Sequence, residues 1–150
     1  MLTTVLTKGP EKVFIIVKND EGATLPIGAP LEWKCDGTDD GIAVQAVQTA
    51  AKKSLVVGLA AESISDGTYG LCQVYGVMDN ARIYAHGTAT NSNVAIGDIF
   101  AASTAQSALT AVDAGSVISK EPPLFVAMET VASASVSTIS TTAKVFVRCL

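Results

Sequence analysis

Few residues in this chain could support catalysis, and none stands in a recognised catalytic motif. Glu62 is a single carboxylate within the apolar stretch VVGLAAESISDGTYGLCQVYGV, residues 56 to 77. His86, in IYAHGTAT, is the only histidine, so a metal cluster built on histidines is excluded. A Ser-His-Asp or Cys-His site would need a nucleophile beside it, but no GxSxG sequence is present. We therefore expect His86 to lie on the surface or in a turn.

The cysteines do not indicate a metal site or a disulfide framework. Cys35, Cys72 and Cys149 have no CxxC spacing, and an odd number cannot form a complete set of internal disulfides. Three reduced thiols carried by strands are the expected state, as in a protein made in the cytoplasm.

Two loops carry residues that elsewhere bind ions or phosphates. The acidic loop CDGTDDG offers Asp36, Asp39 and Asp40 to a hard cation, but it lacks the Glu-terminated frame of a calcium hand. Asp-Gly pairs also form hairpin turns for backbone reasons, so a turn is favoured and a cation site stays open. The glycines of DGTYGLCQVYG are not followed by GK[ST], which argues against a phosphate loop. The sequence thus predicts no cofactor and no metal.

The composition favours a structural β-protein over an enzyme or a nucleic-acid binder. Hydrophobic residues make up 49% of the 150 residues but aromatic residues only 5%, which suits closely packed strands better than an aromatic-lined pocket. Charged residues make up 16%, below the usual quarter, so part of the surface is expected to be covered by partners. The net charge of −4 argues against direct nucleic-acid contact. The apolar run 13 to 17 is too short for a membrane span or a signal segment.

The periodicity predicts an all-β chain with little helix. Turn-forming segments such as NDEG, SDG, TNSN and DAG separate short apolar runs throughout the sequence. Residues 43 to 53, AVQAVQTAAKK, could form a helix, but their alternation favours a strand. The expected strands are 12–18, 30–35, 42–48, 55–61, 69–75, 81–85, 94–101, 108–112, 116–119, 124–130 and 143–149.

An internal echo suggests two related halves. The segment LAAESI, residues 59 to 64, aligns with VAMETV, residues 126 to 131, and nearly the same offset relates Ile27-Gly28 to Ile96-Gly97 and QAV at 45 to 47 to TAV at 110 to 112. Chance similarity stays open, because Ala-, Ser-, Thr- and Val-rich sequences align easily with themselves. A true repeat predicts a compact, tulip-like β-barrel or a two-layer β-sandwich built from two pseudo-repeated halves.

The internal echo aligns Glu62 with Glu129, and this alignment indicates what role Glu62 has. A catalytic carboxylate should occur once, beside a partner that shifts its pKa, whereas these two recur in one structural position. A carboxylate at a strand end can accept backbone N–H groups where the ladder stops and a turn begins. We therefore expect Glu62 and Glu129 to be structural strand-end carboxylates.

Several of these segments together resemble the capsid decoration, or cement, proteins of tailed bacteriophages. The matching segments are IGAPLEW, VVGLAAESISDGTYGLCQVYGV, VAIGDIFAAST and LFVAMETV. They correspond to a Gly-[Asp or Ala]-x-Leu strand entry at 28 to 31, a V-G-[IVL]-A-x-E strand at 57 to 62, and a Gly-x-x-Gly turn with its following strand at 67 to 76. The resemblance spans about residues 25 to 148. The second half departs from it, since ASASVSTISTTAK replaces the Gly-x-x-Gly turn and leaves the strand pairing there in doubt.

The resemblance implies a non-enzymatic virion protein. Such a protein is made in the host cytoplasm, binds the outside of an expanded capsid and stabilises contacts between major capsid subunits, commonly as a homotrimer. Its partners would be the major capsid protein and itself, with no direct nucleic acid and no membrane. The alternative is another phage structural subunit, such as a head-fibre base or a tail-tube protein; a small-ligand barrel or an enzyme is a third, less favoured class.

The N-terminal segment is a candidate capsid-binding arm. Gly9-Pro10 separates MLTTVLTK from the first strong strand, so residues 1–10 divide from a β-rich domain at 11–150. An arm that is loose in isolation can add a strand to the edge of a capsid sheet. An ordinary first strand or a frayed terminus is the alternative. The candidate contact residues are Leu2, Thr3, Thr4, Val5, Leu6 and Thr7.

Overall fold

The structure is a computed structural model that describes residues 11–37, 41–48, 55–84, 94–103, 108–111, 124–131 and 141–149. These ranges contain no α-helix, so the prediction of an all-β chain is confirmed. Their strands are β1 (Val13–Asn19), β2 (Pro30–Trp33), β3 (Ala43–Ala46), β4 (Val56–Ala60), β5 (Tyr69–Tyr84), β6 (Ile99–Ser103), β7 (Ala108–Ala111), β8 (Phe125–Ala127) and β9 (Thr141–Arg148).

The strands close into two rings that share β5. In the first ring, barrel 1, β1 pairs with β3 in parallel, and antiparallel pairs then run from β3 to β2, β4, the first half of β5 and back to β1. In the second ring, barrel 2, the second half of β5 pairs with β7 in parallel, and antiparallel pairs then run to β6, β8, β9 and back to β5. The expected β-barrel with pseudo-repeated halves is therefore confirmed, and each half closes a ring of its own.

The backbone hydrogen bonds repeat between the barrels where the sequence echo predicts. The N–H of Gly28 donates to the carbonyl of Ala60 (2.8 Å), and the N–H of Gly97 donates to the carbonyl of Ala127 (2.9 Å). A reciprocal two-bond bridge joins Leu25 to Ile64 in barrel 1, and the same bridge joins Val94 to Val131 in barrel 2. These bonds set the register of the repeat. The aligned segments are thus structural equivalents and not a chance similarity.

Each barrel has its own apolar core, formed by alternate residues of its strands. In β9, Ala143, Val145 and Val147 are buried while Thr142, Lys144 and Arg148 are exposed, as period-2 alternation requires. Barrel 1 encloses Val17, Leu25, Leu31, Val44, Val57, Ala60, Ile64, Cys72 and Val74; barrel 2 encloses Met78, Ala81, Ile83, Phe100, Leu109, Phe125, Ala127, Val145 and Val147, among others.

The turn at Gly28 joins the two barrels. Gly28 has φ +78°, and its carbonyl accepts the N–H of Arg82 on β5 (3.0 Å). A Cβ at this position would lie 2.2 Å from the carbonyl oxygen of Asn80, so only glycine allows the turn to approach so closely. Leu59 of β4 is fully buried and packs into the core of barrel 2. Barrel 1 therefore contributes both backbone and side-chain contacts to its neighbour.

Several sequence-based boundaries need correction. The expected strands 69–75 and 81–85 form one strand, β5, because residues 76–78 between them also pair with β9 and Asp79-Asn80 lies in a bulge of the same ladder. Residues 43–46 are a strand, as expected, and β9 pairs along its whole length despite the Ser/Thr-rich segment before it. The expected strand 116–119, His86 and the N-terminal arm lie outside the described residues.

Candidate interaction surface

The two strand-end carboxylates form the same hydrogen bond in the two barrels. Oε1 of Glu62 accepts the backbone N–H of Leu71 (2.9 Å), and Oε1 of Glu129 accepts the backbone N–H of Lys144 (2.7 Å). Each carboxylate follows the end of its strand, β4 or β8, and holds the neighbouring strand, β5 or β9, where the ladder stops. This bond explains why a carboxylate recurs in this position without any need for acid–base chemistry.

Two of the three thiols are unsuited to nucleophilic chemistry. Burial raises the pKa of Cys72 to about 12, and the nearby Cys149 adds to the effect. Burial likewise raises the pKa of Cys149 to about 12, against a smaller opposing effect of a backbone hydrogen bond at Arg148. At neutral pH both are protonated thiols rather than nucleophilic thiolates. Cys35 is exposed, and none of the three cysteines forms a disulfide.

A buried carboxylate that the sequence did not single out lies on β2. Glu32 is only 2% exposed, and its Oε1 accepts the side-chain amide of Gln45 (2.9 Å) and the backbone N–H of Gln48 (3.2 Å). Its Oε2 has no hydrogen-bond partner among the described residues. Strand alternation places Glu32 on the outer face, so no sequence pattern indicated its burial. Both partners of Glu32 are amide groups, which neither take up nor release protons. Their hydrogen bonds connect β3 and the residue Gln48 after it to β2.

The acidic loop after β2 takes part in ion pairs. Lys34 pairs with Asp20 and lies 3.6 Å from Asp36. An open depression beside it is lined by Trp33, Lys34, Cys35, Gly37 and Gly41. Asp39 and Asp40 lie outside the described residues, and the described part of the chain holds no group of three or more acidic, His or Cys side chains able to bind a metal. The same residues include no helix long and apolar enough to cross a membrane.

The most distinctive surface feature is an apolar stripe on the outside of barrel 1. Phe14 and Ile16 on β1 lie beside Leu71 and Tyr69 on β5, since Ile16 pairs directly with Leu71. All four are exposed, Ile16 to 67%. We call these four residues the β1 stripe. An isolated exposed apolar residue is ordinary, but four neighbours on two paired strands form a patch of the kind that binds a protein partner.

Barrel 2 has a polar surface where barrel 1 has the β1 stripe. Lys144 occupies the position of Leu71, since both donate the backbone bond to a strand-end carboxylate. Asp79 lies in the bulge opposite Lys144, as Ile16 lies opposite Leu71, and the two charges are 3.4 Å apart. Barrel 2 is instead apolar on a second surface, the barrel-2 rim, formed by Ile96, Ile99 and Met128, all exposed.

The residues expected to bind a capsid lie outside the described residues; they are Leu2, Thr3, Thr4, Val5, Leu6 and Thr7. Sequence reasoning did not find the β1 stripe or the barrel-2 rim. The alternation of VFIIVK shows two apolar faces, but it does not tell which face remains uncovered.

Comparison with known proteins found no family model that matches the chain and no curated protein with significant similarity to it.

Proposed function

We propose that this protein is a structural subunit of a tailed-phage virion that binds the outer surface of the expanded capsid and stabilises contacts between major capsid subunits. It acts as a homo-oligomer and catalyses no reaction. The observation that carries the proposal is the combination of the β1 stripe and the barrel-2 rim, which expose seven large apolar side chains on a compact closed scaffold. Surfaces of this kind suit a protein whose working state is an assembly.

The motifs that resemble the decoration family support this proposal through their structural roles. The strand entry at 28 to 31 contains Gly28, whose close approach to β5 joins the barrels. Strand β4, which ends two residues before Glu62, pairs with β2 and β5 in barrel 1, and the turn at Gly67, with φ +72°, leads into β5. The resemblance therefore rests on residues that build the scaffold. Scaffold motifs suit a protein whose function lies in its shape and surface.

The N-terminal arm is the proposed capsid contact. An arm that adds a strand to a capsid sheet gains backbone hydrogen bonds, which salt screens little, and each protomer of an oligomer contributes one arm. Once one arm is bound, the others bind at high effective concentration, which raises avidity by roughly a hundredfold or more. Small individual contacts can thus hold a shell together.

Truncation of residues 1–8 tests this role. The truncated protein should keep its fold and its oligomeric mass but fail to protect expanded heads against heat. Two double variants of full length test whether the apolar side chains of the arm matter. Leu2→Ser with Leu6→Ser should weaken head binding, whereas Thr3→Ser with Thr7→Ser should not. Full binding by the truncated protein would rule out the arm and move the contact to the barrel surface.

A further inference from the structure

Two polar side chains of barrel 2 carry buried atoms that lack a hydrogen-bond partner within the described part of the chain. They are Arg82 on β5, through its Nε, and Thr110 on β7, through its Oγ1. No ion pair between described residues includes Arg82. Buried polar atoms in proteins are almost always hydrogen-bonded, so each exception calls for an explanation.

The strand register places both side chains on the outer face of barrel 2. Ile83 of β5 pairs with Leu109 of β7, and both are buried in the core of this barrel. Arg82 precedes Ile83 and Thr110 follows Leu109, so strand alternation turns both side chains outward. Their diagonal positions on neighbouring strands lie within reach of a long side chain. Thr142 on β9, which is exposed and pairs directly with Arg82, adds a second hydroxyl. We call Arg82, Thr110 and Thr142 the Arg82 site.

Barrel 1 has a carboxylate in the equivalent place. The internal echo aligns Gln45 with Thr110. In the ladders Gln45 pairs with Glu32 on β2, and Thr110 pairs with Ala101 on β6. Ala101 therefore occupies the position of Glu32. In barrel 1 the side-chain amide of Gln45 donates to Oε1 of Glu32 (2.9 Å), whereas in barrel 2 the position paired with Thr110 holds only a methyl group.

The cation of the repeat is present in both barrels. Arg82 corresponds to Lys18, since each lies where the parallel pairing with β7 or β3 begins. The acidic residue closest to Arg82 along β5 is Asp79, and its carboxylate lies 3.4 Å from Lys144 and 3.7 Å from Lys12. Barrel 2 thus has the cation and a hydroxyl donor of this outer face, while the carboxylate of barrel 1 has no counterpart beside them.

We propose that the Arg82 site binds a carboxylate, the Asp or Glu side chain of a protein partner, at the position that Glu32 occupies in barrel 1. A guanidinium binds a carboxylate through two parallel N–H···O bonds, and a threonine hydroxyl donates a further one. Rotation about the side-chain bonds of Arg82 and Thr110 directs both unpartnered atoms at the bound carboxylate. The site does not depend on capsid binding, because the carboxylate can belong to a second copy of this chain or to another protein.

Nuclear magnetic resonance of the arginine side chains tests the site in the full chain. The sequence contains two arginines, Arg82 and Arg148, so the spectrum has two Nε–H signals and Arg148, which is exposed, is an internal control. Sodium acetate replaces sodium chloride at constant pH and ionic strength. The Arg82 signal should shift saturably with acetate while the Arg148 signal does not. A response to inorganic phosphate without one to acetate would overturn the proposal.

The oligomeric mass shows whether a second copy supplies the carboxylate. A second copy would occupy the Arg82 site and block acetate, and Arg82→Gln should then lower the mass measured by light scattering after size-exclusion chromatography, while Arg148→Gln should not. Arg82→Gln keeps the backbone N–H that the Gly28 carbonyl accepts, so the contact between the barrels is retained. An acetate response with an unchanged mass assigns the carboxylate to another protein.

Two variants beside Arg82 test where the carboxylate lies. Thr110→Val should weaken acetate binding or self-association roughly fivefold, the usual effect of one lost hydrogen bond. Ala101→Glu should abolish the same effect, because it supplies a carboxylate from within the chain. Absence of both an acetate response and a change of mass in Arg82→Gln, or an unaltered effect in Ala101→Glu, would overturn the proposal. These assays contain no capsid, so their failure would not count against head binding, and failure of head binding would not count against this site.

Discussion

Replacing Gly28 and Gly97 separately by alanine should have very different effects on stability. Both residues have positive φ, so each alanine variant carries the strain of a left-handed backbone, about 1–2 kcal/mol. At Gly97 this is the whole expected effect, because the new Cβ meets no atom of the described residues within 4 Å. At Gly28 the new Cβ would lie 2.2 Å from the carbonyl oxygen of Asn80 and 2.9 Å from the N–H nitrogen of Arg82.

The additional effect at Gly28 can be estimated from these distances. Relief of the overlap requires the turn to move away from β5, which breaks the hydrogen bond between Arg82 and Gly28, a loss of about 1 kcal/mol. Imperfect packing where Leu59 enters barrel 2 adds about 1–3 kcal/mol. Gly28→Ala should therefore destabilise the protein by about 2 kcal/mol or more beyond Gly97→Ala.

Urea unfolding measures this difference at a protein concentration low enough that self-association does not contribute. The two variants should unfold with similar slopes and clearly separated midpoints, Gly28→Ala at the lower urea concentration. Equal losses, within about 0.5 kcal/mol, would refute the reasoning. They would mean that the Gly28 turn does not pack closely on β5.

Three further results are expected from the strand-end carboxylates and the thiols. Glu62→Gln and Glu129→Gln should each cost about 1 kcal/mol or less, because the amide oxygen can still accept the backbone N–H; a loss of any measurable turnover from a folded variant would contradict the scaffold role. Iodoacetamide should modify Cys35 in the native protein but Cys72 and Cys149 only after unfolding, giving three modified thiols by intact mass; a protected pair in denatured, unreduced protein would indicate a disulfide. Between pH 9 and 12 the free energy of unfolding should fall as the pH rises. The thiols of Cys72 and Cys149 ionise with an ordinary pKa of 9.0 in the unfolded chain but stay protonated up to about pH 12 in the folded chain. An unchanged urea midpoint over this range would contradict the burial of these two thiols.

The parts of the fold that depend on local pattern were predictable from the sequence. Short apolar runs bounded by turn residues located the strands, and the echo between 59–64 and 126–131 identified structurally equivalent residues in the two barrels. The role of Glu62 followed from that echo, because a repeated carboxylate at a strand end suits a backbone acceptor. The strand positions could be inferred because apolar alternation and turn residues are properties of neighbouring residues in the chain.

The parts that depend on contacts distant in sequence were not predictable. The parallel pairs β1–β3 and β5–β7 close the rings, but no turn or alternation indicates which distant strands will meet. Asp79 and Asn80 have the composition of a turn, yet the pairing with β9 on both sides of them keeps β5 continuous. The buried Glu32 is bonded by the side chain of Gln45 on β3 and by the backbone of Gln48, 13 and 16 residues further along the chain. The exposed surfaces likewise depend on how the rings pack, which the alternation of a single strand does not specify.

The most direct test of the proposed function is co-sedimentation of the purified full chain with undecorated phage heads, expanded and unexpanded, prepared from the same phage. We expect saturable binding to expanded heads, little binding to unexpanded ones, and a higher temperature of head disruption when the protein is bound. Absence of binding to expanded heads, or binding to purified tails or tail tubes instead, would contradict the central claim.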